Sequence, residues 1–270
     1  MKTLCNSLDN ILVIIPVLNE EATIAKVVKS LQSYGLKNIR VVDNGSTDRS
    51  ITKAIAAGAQ VVIETIPGYG SACWRGLQQL PPDIDWILFC DADGSDDLTQ
   101  LPQFFARREK FDMIMGNRRA TDAGRAAMTP VQNFGNWLAT FLIGWGWGHW
   151  YHDLGPLRLI SRSALDKIQM EDRGFGWTVE MQTRAVELRL QTCELPVDYR
   201  YRQGGKSKIS GTLSGSIKAG IVILSTIGKL YLRRLQQGNW RYRINRSKKK
   251  FYHRSLVKLK RILLVHFSVN

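Results

Sequence analysis

Asp91 and Asp93 stand one residue apart just after the apolar run Trp86 to Cys90, and two further acids, Asp96 and Asp97, follow. Side chains at i and i+2 of an extended segment lie on the same side. The pair is thereby placed to share one hard cation while Ala92 packs the other way. Magnesium and manganese favour carboxylate oxygens and are commonly shared with substrate phosphates. The plainer reading is that acids after a strand cap the next helix, a role open to Asp96 and Asp97. A bare Asp-x-Asp is a short pattern that chance supplies freely, so the surrounding elements must decide.

Those elements alternate. Ile11 to Val17 is a continuous, largely β-branched apolar run, followed by Asn19, Glu20 and Glu21 and a helical stretch over Ala22 to Leu31. Such a run is the mark of a parallel strand buried on both faces. Ile39 to Val42 repeats the pattern and ends in Asp43, Asn44 and Gly45, with a helix over Arg49 to Ala57. Strand Gln60 to Thr65, helix Ser71 to Leu80, strand Trp86 to Cys90, helix Leu98 to Arg108 and strand Asp112 to Met115 complete the series. Strands alternating with helices predict an α/β fold with a doubly wound, mostly parallel sheet, whose ligands lie beyond the strand C-termini. The polar loops after the first, second and fourth strands therefore converge on one crevice.

Each loop also has a structural reading. Asp43 to Asp48 reads equally as a turn with a helix cap. Gly68 and Gly70 resemble a phosphate-cradling loop, yet a turn explains them too. Glu20 and Glu21 suit the positive end of a helix dipole.

The chain has 270 residues, 44% of them hydrophobic, enough for one large or two small domains. Its net charge of +15 is one-sided. Eighteen Lys and Arg and no acid follow Asp198, which leaves 20 basic and 23 acidic residues and a net −3 over residues 1–198. A charge so distributed reads as a surface for anionic lipid, nucleic acid or phosphate. The four cysteines show no paired spacing, which points to a reducing compartment rather than a disulfide framework. The N-terminal residues lack a signal-peptide pattern, and no apolar stretch is long enough to span a bilayer.

Between Asn133 and Trp150, the tryptophans Trp145, Trp147 and Trp150 are separated by glycines. They read either as a helix packed on the sheet or as an interfacial belt bordering a lipid route. From Leu213 to Leu235, apolar residues recur at Leu213, Ile217, Ile221 and Leu224, with Lys218 and Lys229 on one side. This is a basic amphipathic helix able to lie in a membrane interface, and residues 241–250 and 256–267 extend the basic character. Nucleic-acid binding is the rival explanation of the tail's charge.

Taken in order, IIPVLNEE, VVDNGSTD, GYGSACWRGL and DADGSDD resemble the nucleotide-sugar half of family 2 glycosyltransferases of the GT-A fold. MGNRR, HDLGPLRLISRSAL, GWTVEM and YRYRQGGKSKIS carry the resemblance on to residue 212, toward the dolichol-phosphate mannose synthase branch. The resemblance implies a glycosyltransferase domain over residues 1–212, split into a nucleotide-sugar half (1–119) and an acceptor half (120–212), with a membrane-associating tail over 213–270. It implies that Pro16, Glu20 and Asp43 hold the nucleobase and ribose, with Gly70 beside them. Asp91 and Asp93 would grip the donor diphosphate through Mg2+ or Mn2+, and Arg158, Arg202 and Lys208 would lie near the phosphates. Two departures stand out. Gly155 and Pro156 replace Ser and Gly of the branch motif, and Ser95 stands where relatives often place a metal-coordinating glutamine.

The chemistry agrees with these residue types. A nucleoside diphosphate leaving group needs a Lewis acid and cationic side chains. A polyprenyl phosphate acceptor, largely ionised at neutral pH, needs no general base. A hydroxyl acceptor does, and Asp153 or Glu180 would then serve. The expectation is an inverting hexosyltransferase, peripheral on the cytoplasmic face of a membrane, using a UDP- or GDP-sugar and a polyprenyl phosphate. The alternatives are the same fold with a hydroxyl acceptor, and a non-catalytic protein whose tail binds lipid or nucleic acid.

Overall fold

The computed structural model of the chain describes residues 8–202 and 213–236, the side chains of 213–219 excepted. Lys208 and the basic runs after Gln236 lie outside the described residues, as does the side chain of Lys218. Seven strands form one sheet in the order β3-β2-β1-β4-β6-β5-β7. β1 (Ile11–Val17), β2 (Asn38–Asp43), β3 (Gln60–Ile63) and β4 (Trp86–Phe89) pair in parallel, as do β5 (Met113–Asn117) and β7 (Thr192–Pro196). β6 (Arg158–Ser161) runs antiparallel between β4 and β5 and separates strands that adjoin in sequence. The mixed sheet flanked by helices is the predicted α/β architecture.

Burial of β1 on both sides is visible residue by residue. Leu12 and Ile14 enter one core with Ala72 and Cys73 of α3 (Tyr69–Gly76), while Ile11, Val13 and Ile15 enter another with Ile24, Val28 and Leu31 of α1 (Ile24–Ser33). The alternation follows from the pleat, which sends successive side chains to opposite faces. α2 (Ser50–Ala56) and α4 (Leu101–Ala106) cover the α1 face.

Helix boundaries differ from expectation in instructive ways. The predicted helix over 71–80 begins at Tyr69 and ends at Gly76. The one over 98–108 opens as a 3-10 turn, Leu98–Gln100, with the Asp97 side chain accepting from the Thr99 amide. Asp97 is thus a cap. Asp96 is not; its carboxylate accepts from the Asp91 amide.

The second half adds α5 (Asp122–Ala127), α6 (Pro130–Trp147), α7 (Arg162–Ile168), α8 (Trp177–Glu187) and α9 (Leu213–Gln236). α6 starts at a capping box in which Thr129 and Gln132 satisfy each other's backbone amides, with Pro130 in the first turn, and stops at Gly148 in the left-handed region. α9 packs on α6 and α8 through Thr226, Ile227, Leu230 and Tyr231.

Candidate active site

The C-terminal ends of β1, β2 and β4 lie side by side, so their loops meet. The β1 and β2 loops are sewn together: the Asn19 amide donates to Ser46 Oγ at 2.8 Å, the Glu20 amide to Ser50 Oγ at 2.7 Å, and the Thr47 amide to Asn19 Oδ1 at 2.6 Å. Pro16 sits at the end of β1, half-buried. Asp43, the last residue of β2, is buried; its Oδ2 accepts from the Gly45 and Ser46 amides. Its Oδ1 and Glu20 Oε2 are buried with no protein partner.

Asn44 then fixes the next loop. Its Nδ2 donates to the Glu64 and Ile66 carbonyls and its Oδ1 accepts from the Gly68 amide at 2.8 Å. Gly70 does not cradle phosphate with its amide, because that N–H donates to the Gly174 carbonyl and the Ser71 N–H to Arg173. Glycine is needed for a different reason: a Cβ on Gly70 would stand 2.7 Å from the Arg173 carbonyl carbon. Between the two glycines Tyr69 reaches down and donates to Asp91 Oδ1 at 3.3 Å.

β4 stops at Phe89, so Asp91 and Asp93 do not share one extended face; residues 92–93 form a turn continued by Gly94 at φ +73°. The turn still keeps the two carboxylates in one loop. Burial, then the charges of Asp96 and Asp93, push the Asp91 carboxyl well above the usual range, and burial lifts Asp96 to about 7. Ser95, at the position of the expected glutamine, is buried and donates through its amide and hydroxyl to Asp93 Oδ1. It orients Asp93. Arg202 bridges the site from the far side, paired with Glu20 and 3.5 Å from Asp93 Oδ2.

Among the described residues no three His, Cys, Asp or Glu side chains converge as a ready metal cage. Two carboxylates in a crowded acidic loop nonetheless suit a hard divalent cation that completes its shell with water and substrate phosphates. Asp91 and Asp93 would hold it.

The remaining expected residues lie beneath the crevice. Arg158 is buried, its donors spent on the Gly155 and Thr178 carbonyls and Gln182 Oε1, and burial lowers its pKa to about 10. That posture differs from the expected phosphate contact: Arg158 ties β6 to α8. Asp153 is gripped at both oxygens by Arg118 at 2.8 Å. Burial alone would raise its pKa, but the Arg118 charge and hydrogen bonds hold it below the usual carboxylate range. Glu180 Oε2 accepts from the Glu171 and Asp172 amides, and burial raises its pKa against those bonds. Neither carboxylate has the posture of an available base.

Sequence reasoning passed over Tyr69 and Tyr199, whose ring lies 4.8 Å beneath the Arg118 guanidinium. An aromatic hydroxyl between two glycines was the signal for Tyr69. For Tyr199 no local signal exists, since its partners are distant in sequence.

A mixed α/β sheet with acidic and cationic groups gathered at the ends of its parallel strands defines an enzyme of the GT-A glycosyltransferase class, built to hold a nucleotide sugar. Residues 12–169 match Glycosyl transferase family 2, and the chain belongs to that family. It is 37% identical over 220 residues to an uncharacterized glycosyltransferase of Mycobacterium tuberculosis, covering 78% of this chain and 94% of that one. It is 25% identical over 217 residues to the undecaprenyl-phosphate mannosyltransferase of Micrococcus luteus, covering 76% and 89%. Among solved structures, glucosyl-3-phosphoglycerate synthase from Mycobacterium tuberculosis in complex with Mn2+, uridine diphosphate and phosphoglyceric acid shares the fold, with a TM-score of 0.64, 22% identity, and coverage of 80% of this chain and 76% of that one.

Proposed function

We propose that this glycosyltransferase moves a hexose from a UDP- or GDP-sugar to a polyprenyl phosphate at the cytoplasmic face of a membrane, with Mg2+ or Mn2+. The observation that carries the acceptor assignment is the engagement of both possible bases. Asp153 is locked to Arg118, and Glu180 is committed to the 171–172 backbone. A phosphate nucleophile needs neither, being largely ionised at neutral pH with a second pKa near roughly 6. The lipid-phosphate acceptor named for the Micrococcus luteus relative points the same way.

In this reading the orphaned Asp43 Oδ1 and Glu20 Oε2 receive donors of the nucleobase and ribose. A bound divalent cation supplies Lewis-acid neutralisation of the departing diphosphate. Arg202, held between Glu20 and Asp93, adds cationic charge beside it, and Lys208 supplies a further cation in this reading. Tyr69 and Ser95 keep Asp91 and Asp93 in position. Displacement by the lipid phosphate from the opposite face of the sugar inverts the anomeric centre. Residues 1–119 carry the donor, 120–212 frame the acceptor, and 213–270 hold the enzyme on the membrane.

The test offers labelled UDP- and GDP-sugars with manganese or magnesium to the full chain, with polyprenyl phosphate in one arm and phosphoglyceric acid in another. Acid-labile label in the organic phase supports the proposal. Transfer only to the soluble acceptor, or no transfer to lipid phosphate from a donor that the enzyme hydrolyses, overturns it.

A further inference from the structure

α6 is an 18-residue helix without one charged side chain. Its inward positions, Ala139, Ile143 and Trp147, are buried in the core, and the Trp147 indole donates to Glu187 at 2.7 Å. Its outward positions should then be polar on a water-facing helix. They are aromatic instead. Phe134, Trp137, Phe141 and Trp145 form a continuous ladder with ring centroids 6.0, 5.6 and 6.4 Å apart, and the two ends, Phe134 and Trp145, are 61% and 69% exposed.

α9 repeats the anomaly beside it. The helices are joined by the Trp147 and Tyr231 rings, 4.6 Å apart, and by an Arg234 hydrogen bond to the Gly146 carbonyl. With Thr226 bonded to Asp172 and Ile227 and Leu230 buried in the core, the opposite face presents Ile221, Leu224, Leu232 and Leu235, all exposed. At 100° per residue these four and Gly228 fall on one stripe. The face called amphipathic from sequence is thus the outer one, and α9 has apolar residues on both sides.

Two adjoining helices with outward apolar stripes make a patch that a monomer in water rarely exposes. Neither helix is long and apolar enough to cross a membrane. Charge decides between the two occupants such a patch could have. In sequence, α9 is followed by residues 237–270, which hold ten Lys and Arg and no acid. Two copies meeting through this face would bring two strongly cationic segments together, whereas an anionic bilayer neutralises them. Tryptophan and phenylalanine are also the side chains that settle at the headgroup boundary.

We infer that the α6–α9 face is a docking surface for an anionic lipid bilayer, inserting the Phe134 to Trp145 ladder and the Ile221 to Leu235 stripe at the interface. The inference rests on the membrane-face part of the proposed function but not on its acceptor. Apolar insertion and basic charge together are the two signals that stable peripheral anchoring requires.

The experiment uses vesicles of phosphatidylcholine with about 30% phosphatidylglycerol and no polyprenyl phosphate, read by flotation and by quenching of tryptophan emission with brominated lipid. The full chain should bind these vesicles, with Trp145 quenched, and bind pure phosphatidylcholine far less. The pairs Phe134→Ser with Trp145→Ser, and Ile221→Ser with Leu232→Ser, should each weaken partitioning by about tenfold or more at unchanged thermal midpoint. Transfer to polyprenyl phosphate in detergent should remain, so loss of docking and loss of the acceptor assignment are read separately. Absence of vesicle binding by the full chain, or undiminished binding by both folded variants, overturns the inference. So does a wild-type dimer that the substitutions convert to a monomer with vesicle binding intact.

Discussion

Thr226 of α9 donates a hydrogen bond to Asp172 Oδ2 at 2.8 Å, and that contact links the outermost helix to the floor of the donor loop. Asp172 Oδ1 caps the Gly174 amide at 2.7 Å, and the carbonyls of Arg173 and Gly174 receive the first amides of α3. α3 begins with Tyr69, which touches Asp91. Arg233 adds a second strap from α9 to Glu171 at 2.6 Å.

Thr226→Val keeps the shape and removes the hydroxyl, leaving Asp172 short of one donor. The expected loss of stability is about 1 kcal/mol. Activity should fall further than stability explains, through a raised donor KM, because loop 171–174 loses its outer anchor. Thr226→Ser should restore both. Steady-state kinetics and urea titration of the three proteins check this; a donor KM equal to wild type in the valine variant would separate α9 from the donor loop. Arg233→Ala, whose pair is substantially exposed, should cost no more than roughly 1 kcal/mol.

Asp93→Ala should abolish metal-dependent transfer, by about a hundredfold or more, while the protein stays folded. Asp93 follows the last residue of β4 in a turn, and the interactions it loses are those with Ser95 and Arg202, not core packing. Radiolabel transfer across a manganese titration, together with a thermal melt, measures it. Full metal-dependent activity in the folded variant contradicts the assigned site.

Asp153 and Arg118 form the most enclosed ion pair described, with side chains 0% and 12% exposed. Asp153→Asn leaves a buried guanidinium without its counter-charge and should cost about 3–5 kcal/mol at neutral pH. The sign of the pH effect follows from the lowered Asp153 pKa. Its folded value lies below the unfolded one of about 3.9, so the carboxylate contributes stability above that pH and loses it as pH falls through the folded value. The gap between wild type and variant should therefore be widest near neutrality and narrow below about pH 4. Denaturation midpoints across pH 3 to 7 test it; a gap that stays constant rules out the ionised pair as its source.

How far the sequence reveals this molecule depends on the range over which its signals act. β1, β2 and β4 announce themselves as apolar runs ending in Asn, Asp and Glu, because burial on both faces and ligand-facing C-termini are local requirements. The site inherits that clarity: Glu20, Asp43, Asp91 and Asp93 all sit where those runs stop. β6 has only four residues, and nothing in Arg-Leu-Ile-Ser tells that it will insert antiparallel between β4 and β5. Hence Arg158, which the resemblance sets near the phosphates, is a buried tie between β6 and α8 in the fold. Asp91 and Asp93 show a subtler limit. Their clustering is written in the chain, but the turn after Phe89 is set by Gly94 and by the Asp96 carboxylate reaching back to the Asp91 amide. α9 was legible as a helix and its outer stripe as apolar, yet only tertiary packing shows which side meets the core.

Two glycines on α6 should respond oppositely to the same substitution. A Cβ on Gly135 meets nothing within 4 Å, so Gly135→Ala changes only the backbone's freedom. Glycine inside a helix costs about 0.5–1 kcal/mol relative to alanine, and that amount should appear as added stability. A Cβ on Gly144 would instead fall 1.9 Å from the ring of Trp150. Gly144→Ala must displace that ring, which also lies against Phe141, and should destabilise by about 1–3 kcal/mol despite the same gain in helix propensity. Paired urea titrations decide it. Opposite signs support the close approach of the 148–151 segment to α6, while stabilisation by both substitutions would show that Trp150 does not lie over Gly144.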